Sequence, residues 1–245
     1  MAETAQIELL PAHQVAQTAQ VFQAPNGLCY TQFGETHLTA QELEHMVQAV
    51  PASMASALQQ RAWYFVPLAI SEENTALVAP AYSVELSDRA ICHRNVRFGS
   101  SECIFISTRL MQDRFALAFE FFINVARHFV EEAGVPEGFC SLAWAQVQSD
   151  VRGETSQDAW EHRRRALTPG PVDEKARSYF LEVAFADVIA IYMLSLTMDF
   201  DYMDLREREY PLLAAPALAE RLRYVAGLFP PNPGYEFEIR YRRRN

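Results

Sequence analysis

The sequence predicts an α+β fold in which a small sheet packs against two long, largely buried helices, and three observations carry that expectation. Two stretches, about 108–133 and 173–198, are apolar over lengths that strands do not reach. Between them in character, "AWYFVPLAI" at 62–70, "TALVAP" at 75–80 and "CIFIST" at 103–108 are short runs rich in β-branched and aromatic residues. The chain of 245 residues is half hydrophobic, enough to bury one core, so a single domain over 1–245 is expected.

In chain order, 1–60 reads as an N-terminal helical region ending with "TAQELEHMVQAV", where Thr39 and Glu42 have the spacing of a capping box. Residues 61–134 hold the strands and the first long helix. Pro67 and Pro80 mark edge positions or strand ends, because proline cannot donate to a ladder. Gly134 followed by Pro136 stops the helix. The stretch 135–172, with "EHRRR" and "TPGP", reads as an insertion, a loop or a pair of short helices from 137 onward, where specificity could reside. From 173 to 245 come the second long helix, the acidic Asp199, Asp201 and Asp204 as a helix end facing water, and a shorter helix around "APALAERLRYVAG". The tail "YEFEIRYRRRN" alternates apolar and charged residues and predicts a closing strand.

Composition excludes several classes. A formal charge of −10 repels phosphate backbones, so no nucleic-acid partner is expected. The longest apolar run, "VIAIYMLSLTM" at 188–198, is shorter than the roughly 20 residues of a membrane span, so none is expected. "MAETAQIELLPAHQ" has neither a basic nor an apolar signal region, and Cys29, Cys92, Cys103 and Cys140 lack disulfide-scaffold spacing. A cytoplasmic location is the expectation. Nearly all the basic residues are arginine, Lys175 being the single lysine. With 9 glycines and no GxSxG, GxxxxGK[ST] or GxGxxG, phosphate-cradling and serine-hydrolase chemistries find no motif.

The candidate site residues are carboxylates in apolar helices. On the first long helix a wheel groups Met111, Phe115, Ala118, Phe122, Val125, Ala126, Phe129 and Ala133 on one face, with Asp113, Glu120, Asn124, Arg127 and Glu131 opposite. Glu120 then reads either as part of a polar stripe or as a survivor of a catalytic motif. On the second helix Glu182 and Asp187 lie in "YFLEVAFADVIAIYML", apolar on nearly every side and about 140° apart on the wheel. Buried carboxylates need an arginine, a polar cavity or a metal, and Arg127, Arg163, Arg164 and Arg165 are the candidate counter-ions.

The order of these elements, a strand ending "IFISTRL", a long helix, an insertion, a helix with "EVAFAD", then "MDFDYM" and "YP…AERLRYV", resembles the zincin metallopeptidases of the glutamate-ligand branch. In that family the first helix carries HExxH, the second brings a glutamate ligand often followed by an Ala-Asp pair, and a later segment packs an arginine beside it. The resemblance covers roughly 101–226. It places Glu120 at the catalytic glutamate, Glu182 near the third ligand and Ala186-Asp187 on the Ala-Asp pair. Phe119 and Ile123 stand where the two histidines belong, and Glu182 and Asp187 are one residue further apart than the family's spacing. The resemblance therefore implies a scaffold without the usual zinc site.

Other metal patterns are His128 with Glu132, Glu42 with His45, and Cys92-His93 with Cys103, none of which completes a known ligand set. Cys92 reads as a small buried hydrophobe. Two functional expectations result. The first is a non-catalytic, zincin-like protein with a binding or regulatory role, an unidentified protein or peptide partner and no cofactor. The alternative is a metal-dependent, peptidase-like hydrolase with unorthodox ligands, holding zinc or another divalent metal through Glu182, Asp187 and His128, with Glu120 as catalytic residue.

Overall fold

The computed structural model describes residues 9–35, 38–81, 89–108, 113–168, 170–206 and 209–240. It has the α+β composition expected, two small sheets and eight α-helices among the described residues. The chain forms two compact units, 1–121 and 122–245, with the division inside one helix.

The first unit holds all the strands among the described residues. β1 (Leu10–Pro11), β6 (Ala76–Val78) and β5 (Leu68–Ile70) form an antiparallel sheet in that order. The larger sheet runs β2 (Phe22–Gln23), β3 (Cys29–Gln32), β4 (Arg61–Val66), β8 (Ser101–Ser107), β7 (His93–Phe98). Its centre, β3, β4 and β8, is parallel, and the two edge strands are antiparallel. Parallel strands are buried on both faces and read as continuous apolar runs, which is why "WYFV" and "CIFI" lack alternation. Tyr64, Val66, Cys103 and Phe105 face one side with Ala12 and Val15 of α1 (Ala12–Thr18). On the other side Trp63 and Phe65 meet Phe121, at ring centroids 6.1 and 5.4 Å apart. The capping box forms as expected: the Thr39 N–H donates to Glu42 Oε2 at 2.9 Å and the Glu42 N–H to Thr39 Oγ1 at 3.2 Å, opening α2 (Ala40–Gln48). The short helix α3 (Ala52–Ala55) follows.

α4 (Arg114–Ala133) carries the division between the units. The second unit is helical: α5 (Glu137–Gln148), α6 (Gln157–Ala166), α7 (Glu174–Thr197) and α8 (Ala215–Leu228). The stretch read as an insertion is thus a pair of helices. α7 begins where Asp173 accepts the N–H groups of Lys175 and Ala176, each at 3.0 Å. By length and composition α7 could cross a membrane, but 78% of its apolar window is buried inside the protein, the environment of a core helix.

Several expectations need correction. The first long helix starts at Arg114, not near 108, because the Asp113 carboxylate accepts the Ala116 N–H at 3.1 Å and caps it there; Met111 lies outside the described residues. The run 62–70 breaks at Pro67 into two strands in different sheets. Residues 235–240 form no ladder, although "YEFEI" alternates; a strand needs an edge to pair with, and periodicity does not supply one. The last five residues lie outside the described set. Asn124 is buried rather than part of an exposed stripe, and Cys92 is exposed rather than a buried hydrophobe. Phe121, fully buried between Trp63 and Phe65, anchors α4 in the first unit; Phe121→Ala should cost about 3–5 kcal/mol in chemical denaturation.

Candidate functional site

Each carboxylate singled out by sequence has a different environment. In the first unit, the β7–β8 register pairs His93 with Ile106, and the β4–β8 register pairs Phe65 with Ile106. His93 therefore projects on the face that carries Phe65 and Phe121. There its Nδ1 lies 2.5 Å from Glu120 Oε1. An ionised carboxylate only accepts, so in this contact Nδ1–H is the donor. The pair is partly open, with side-chain exposures of 37% for His93 and 19% for Glu120. Phe119 stacks on Phe115 with ring centroids 6.1 Å apart.

In the second unit His128 is buried, and its Nδ1 lies 3.0 Å from Glu131 Oε2 on the next turn. Glu182 is exposed and accepts from Ser178 Oγ at 3.1 Å, which corrects the expectation of a buried carboxylate. The apolar letters around it in "YFLEVAF" belong to the flanks of a helix whose Glu182 stripe faces water. Asp187 is buried as expected, 3% exposed, with Thr155 Oγ1 donating to its Oδ2 at 2.8 Å. Burial pushes its carboxyl up to about 6, against the opposing pull of hydrogen bonds from Ser156 and Thr155 and of the Arg127 charge. Of the arginines nominated as counter-ions, Arg127 is the one whose charge reaches Asp187. Among the described residues, no group of three or more His, Cys, Asp or Glu side chains converges as a metal site. Glu42, the ExxH candidate, serves its cap and pairs with Arg114 at 2.6 Å.

A fully enclosed charge escaped the sequence reading. Glu154 is fully buried, and its carboxylate accepts Arg221 Nη1 at 2.9 Å and Arg163 Nη1 at 3.2 Å. Arg221, also fully buried, donates Nε to Gln146 Oε1 at 2.8 Å and lies 6.0 Å from the Phe180 ring of α7. Arg163 donates further to the Gly153 carbonyl at 2.8 Å. The backbone of this loop is held as well: the Glu154 N–H donates to the Pro211 carbonyl, and the Leu213 N–H to that of Glu154. Gly153 has φ +79, and a Cβ there would sit 2.0 Å from the Leu212 carbonyl oxygen, so only glycine fits. A signal for Arg221 existed in "LAERLRYVAG": on the wheel it falls between Ala217, Leu218 and Val225, on the apolar face. Glu154, in the irregular "VRGETS", had none.

No protein-family model matches the sequence, and no curated protein matches it either.

Glu154→Gln should leave two buried guanidinium groups short of charge and destabilise the fold by about 3–5 kcal/mol, measurable by urea denaturation. Asp187 gives a pH dependence of definite sign. Its folded pKa lies above the unfolded value of about 3.9, so protonation favours the fold. This contribution is fully present below about pH 4 and is lost as pH rises through about 6. Asp187→Asn, which keeps an acceptor for Thr155 but cannot ionise, should flatten the stability profile across that window.

Proposed function

We propose that this protein is a non-catalytic binding or regulatory protein built on a zincin-like α+β frame, acting on a protein or peptide partner. One observation carries the reading: the side chains that a hydrolytic centre would need are each employed in a separate protein contact. Glu120 is bonded to His93, His128 is paired with Glu131, Glu182 lies at the surface with Ser178, and Asp187 is enclosed by Thr155. Phe119 and Ile123 bring apolar side chains to the two histidine positions of the family pattern. A net charge of −10 favours partners other than nucleic acid, and the free thiols among the described residues are in keeping with the reducing cytoplasm.

The competing reading, a divalent-metal hydrolase, rests on Asp187, a buried carboxylate whose pKa is raised, as carboxylates in catalytic sites often are. Elemental mass spectrometry of untagged protein purified without chelator separates the two. The expected result is metal well below one equivalent, and a Glu182→Gln variant with unchanged metal content and a stability change within about 0.5 kcal/mol. Near-stoichiometric zinc, iron or manganese that is lost with Glu182→Gln or Asp187→Asn would establish the hydrolase instead.

A further inference from the structure

Residues 235–240 have the pattern of a strand and join no ladder. Their exposure alternates: Tyr235 is buried, Phe237 and Ile239 are half-buried, and Glu236, Glu238 and Arg240 are exposed. A period of two is that of extended chain, whose successive side chains point to opposite faces. The contacts agree with it. The Phe237 ring meets the Tyr192 ring of α7 edge-on, with centroids 5.2 Å apart, and on the outer face Arg240 Nε donates to Glu238 Oε2 at 2.9 Å. The segment is thus seated on the second unit by its apolar face. The Tyr235 N–H donates to the Asn232 carbonyl at 3.1 Å, but among the described residues no backbone group from 236 to 240 bonds to another. Extended chain in that state offers a row of donors and acceptors to a second strand.

The strand that matches it has its own sequence. The stretch "EFEIRYR", 236–242, is complementary to itself when reversed: acids and bases are set symmetrically about Ile239, with an aromatic residue on either side. In two antiparallel copies centred on Ile239, Glu238 of each copy stands opposite Arg240 of the other, and Glu236 opposite Arg242, all on the outer face. On the inner face Phe237 stands opposite Tyr241, and the two Ile239 side chains face each other. Tyr241 and Arg242 enter by sequence alone. The register is specified, because a slip of one residue sets inner positions against outer ones. A slip of two sets Glu238 against Glu238 or Arg240 against Arg240.

We propose that residues 236–242 pair with the same residues of a second copy in an antiparallel two-stranded ribbon about a twofold axis at Ile239, making the protein a homodimer. A second copy is the occupant because the segment's charges complement themselves. A two-stranded ribbon alone is marginal in water and needs a helix to pack on. Here α7 supplies it, and a strand already seated there has little ordering left to undergo on pairing. The interface is small, so the dimer exchanges with monomer. The inference does not depend on whether the protein is catalytic.

Sedimentation velocity of the full chain over a range of concentrations tests it. The unaltered protein should show a reversible monomer–dimer equilibrium. Glu238→Arg alone, or Arg240→Glu alone, turns both Glu238–Arg240 pairs into like-charged ones and should weaken dimerisation about tenfold or more. Mixed in equal amounts, the two variants should associate with each other as tightly as the unaltered protein, since every such pair is then of opposite sign. A contact within one chain does not produce that rescue, and unchanged far-UV circular dichroism shows that both variants fold. A protein that stays monomeric up to about 1 mM, a dimer indifferent to both substitutions, or variants that remain apart when mixed would each overturn the proposal.

Discussion

The second unit is organised around one carboxylate that has no access to water. A carboxylate in that position is tolerable because the guanidinium groups of Arg163 and Arg221 both bond to it. The requirement spreads outward. Arg221 must lie on the inner face of α8, Arg163 on the inner face of α6, and Gln146 on α5 must turn inward to satisfy the remaining Arg221 donor. Gly153 must be glycine so that the loop can approach Leu212. Three helices and a loop are thereby set in register by one charge, which apolar packing alone, being non-directional, does not do.

α7 supplies the complementary constraint. From Ala184 to Leu194 it is buried on every side, and α5, α6 and α8 pack against it. Asp187 is the charged residue within that buried stretch. It is accommodated by hydroxyls from the loop that also carries Glu154, so two neighbouring carboxylates in one core are handled in opposite ways: one fully ion-paired, the other hydrogen-bonded and poised near neutrality. In the first unit Glu120 follows a third course, partly open to solvent and paired with an imidazole.

Much of the fold was legible because it follows from local rules. The capping box at Thr39, the Asp173 start of α7, the Gly134 stop of α4 and the apolar runs of β4 and β8 are each decided within a few residues by hydrogen bonds and side-chain type. The short edge pieces β1, β2 and β7 were not legible, since edge strands owe their existence to a neighbour rather than to their own composition. The terminal alternating segment failed in the converse way: it has the pattern of a strand, but its described residues, 235–240, join no ladder.

The candidate site divides along the same line. The sequence by itself determined that Asp187 would be buried and would need polar company, because a carboxylate in the middle of an apolar helix has few other fates. It also nominated Glu120 as a carboxylate on an otherwise apolar helix. Only the tertiary structure decided that Glu120 meets His93, 27 residues earlier, that Glu182 faces water, and that Glu154 gathers Arg163 and Arg221. The physical reason is range: caps and periodicity act over one or two turns, whereas the partner of a charge is whichever group the packing of distant segments brings within about 3–4 Å.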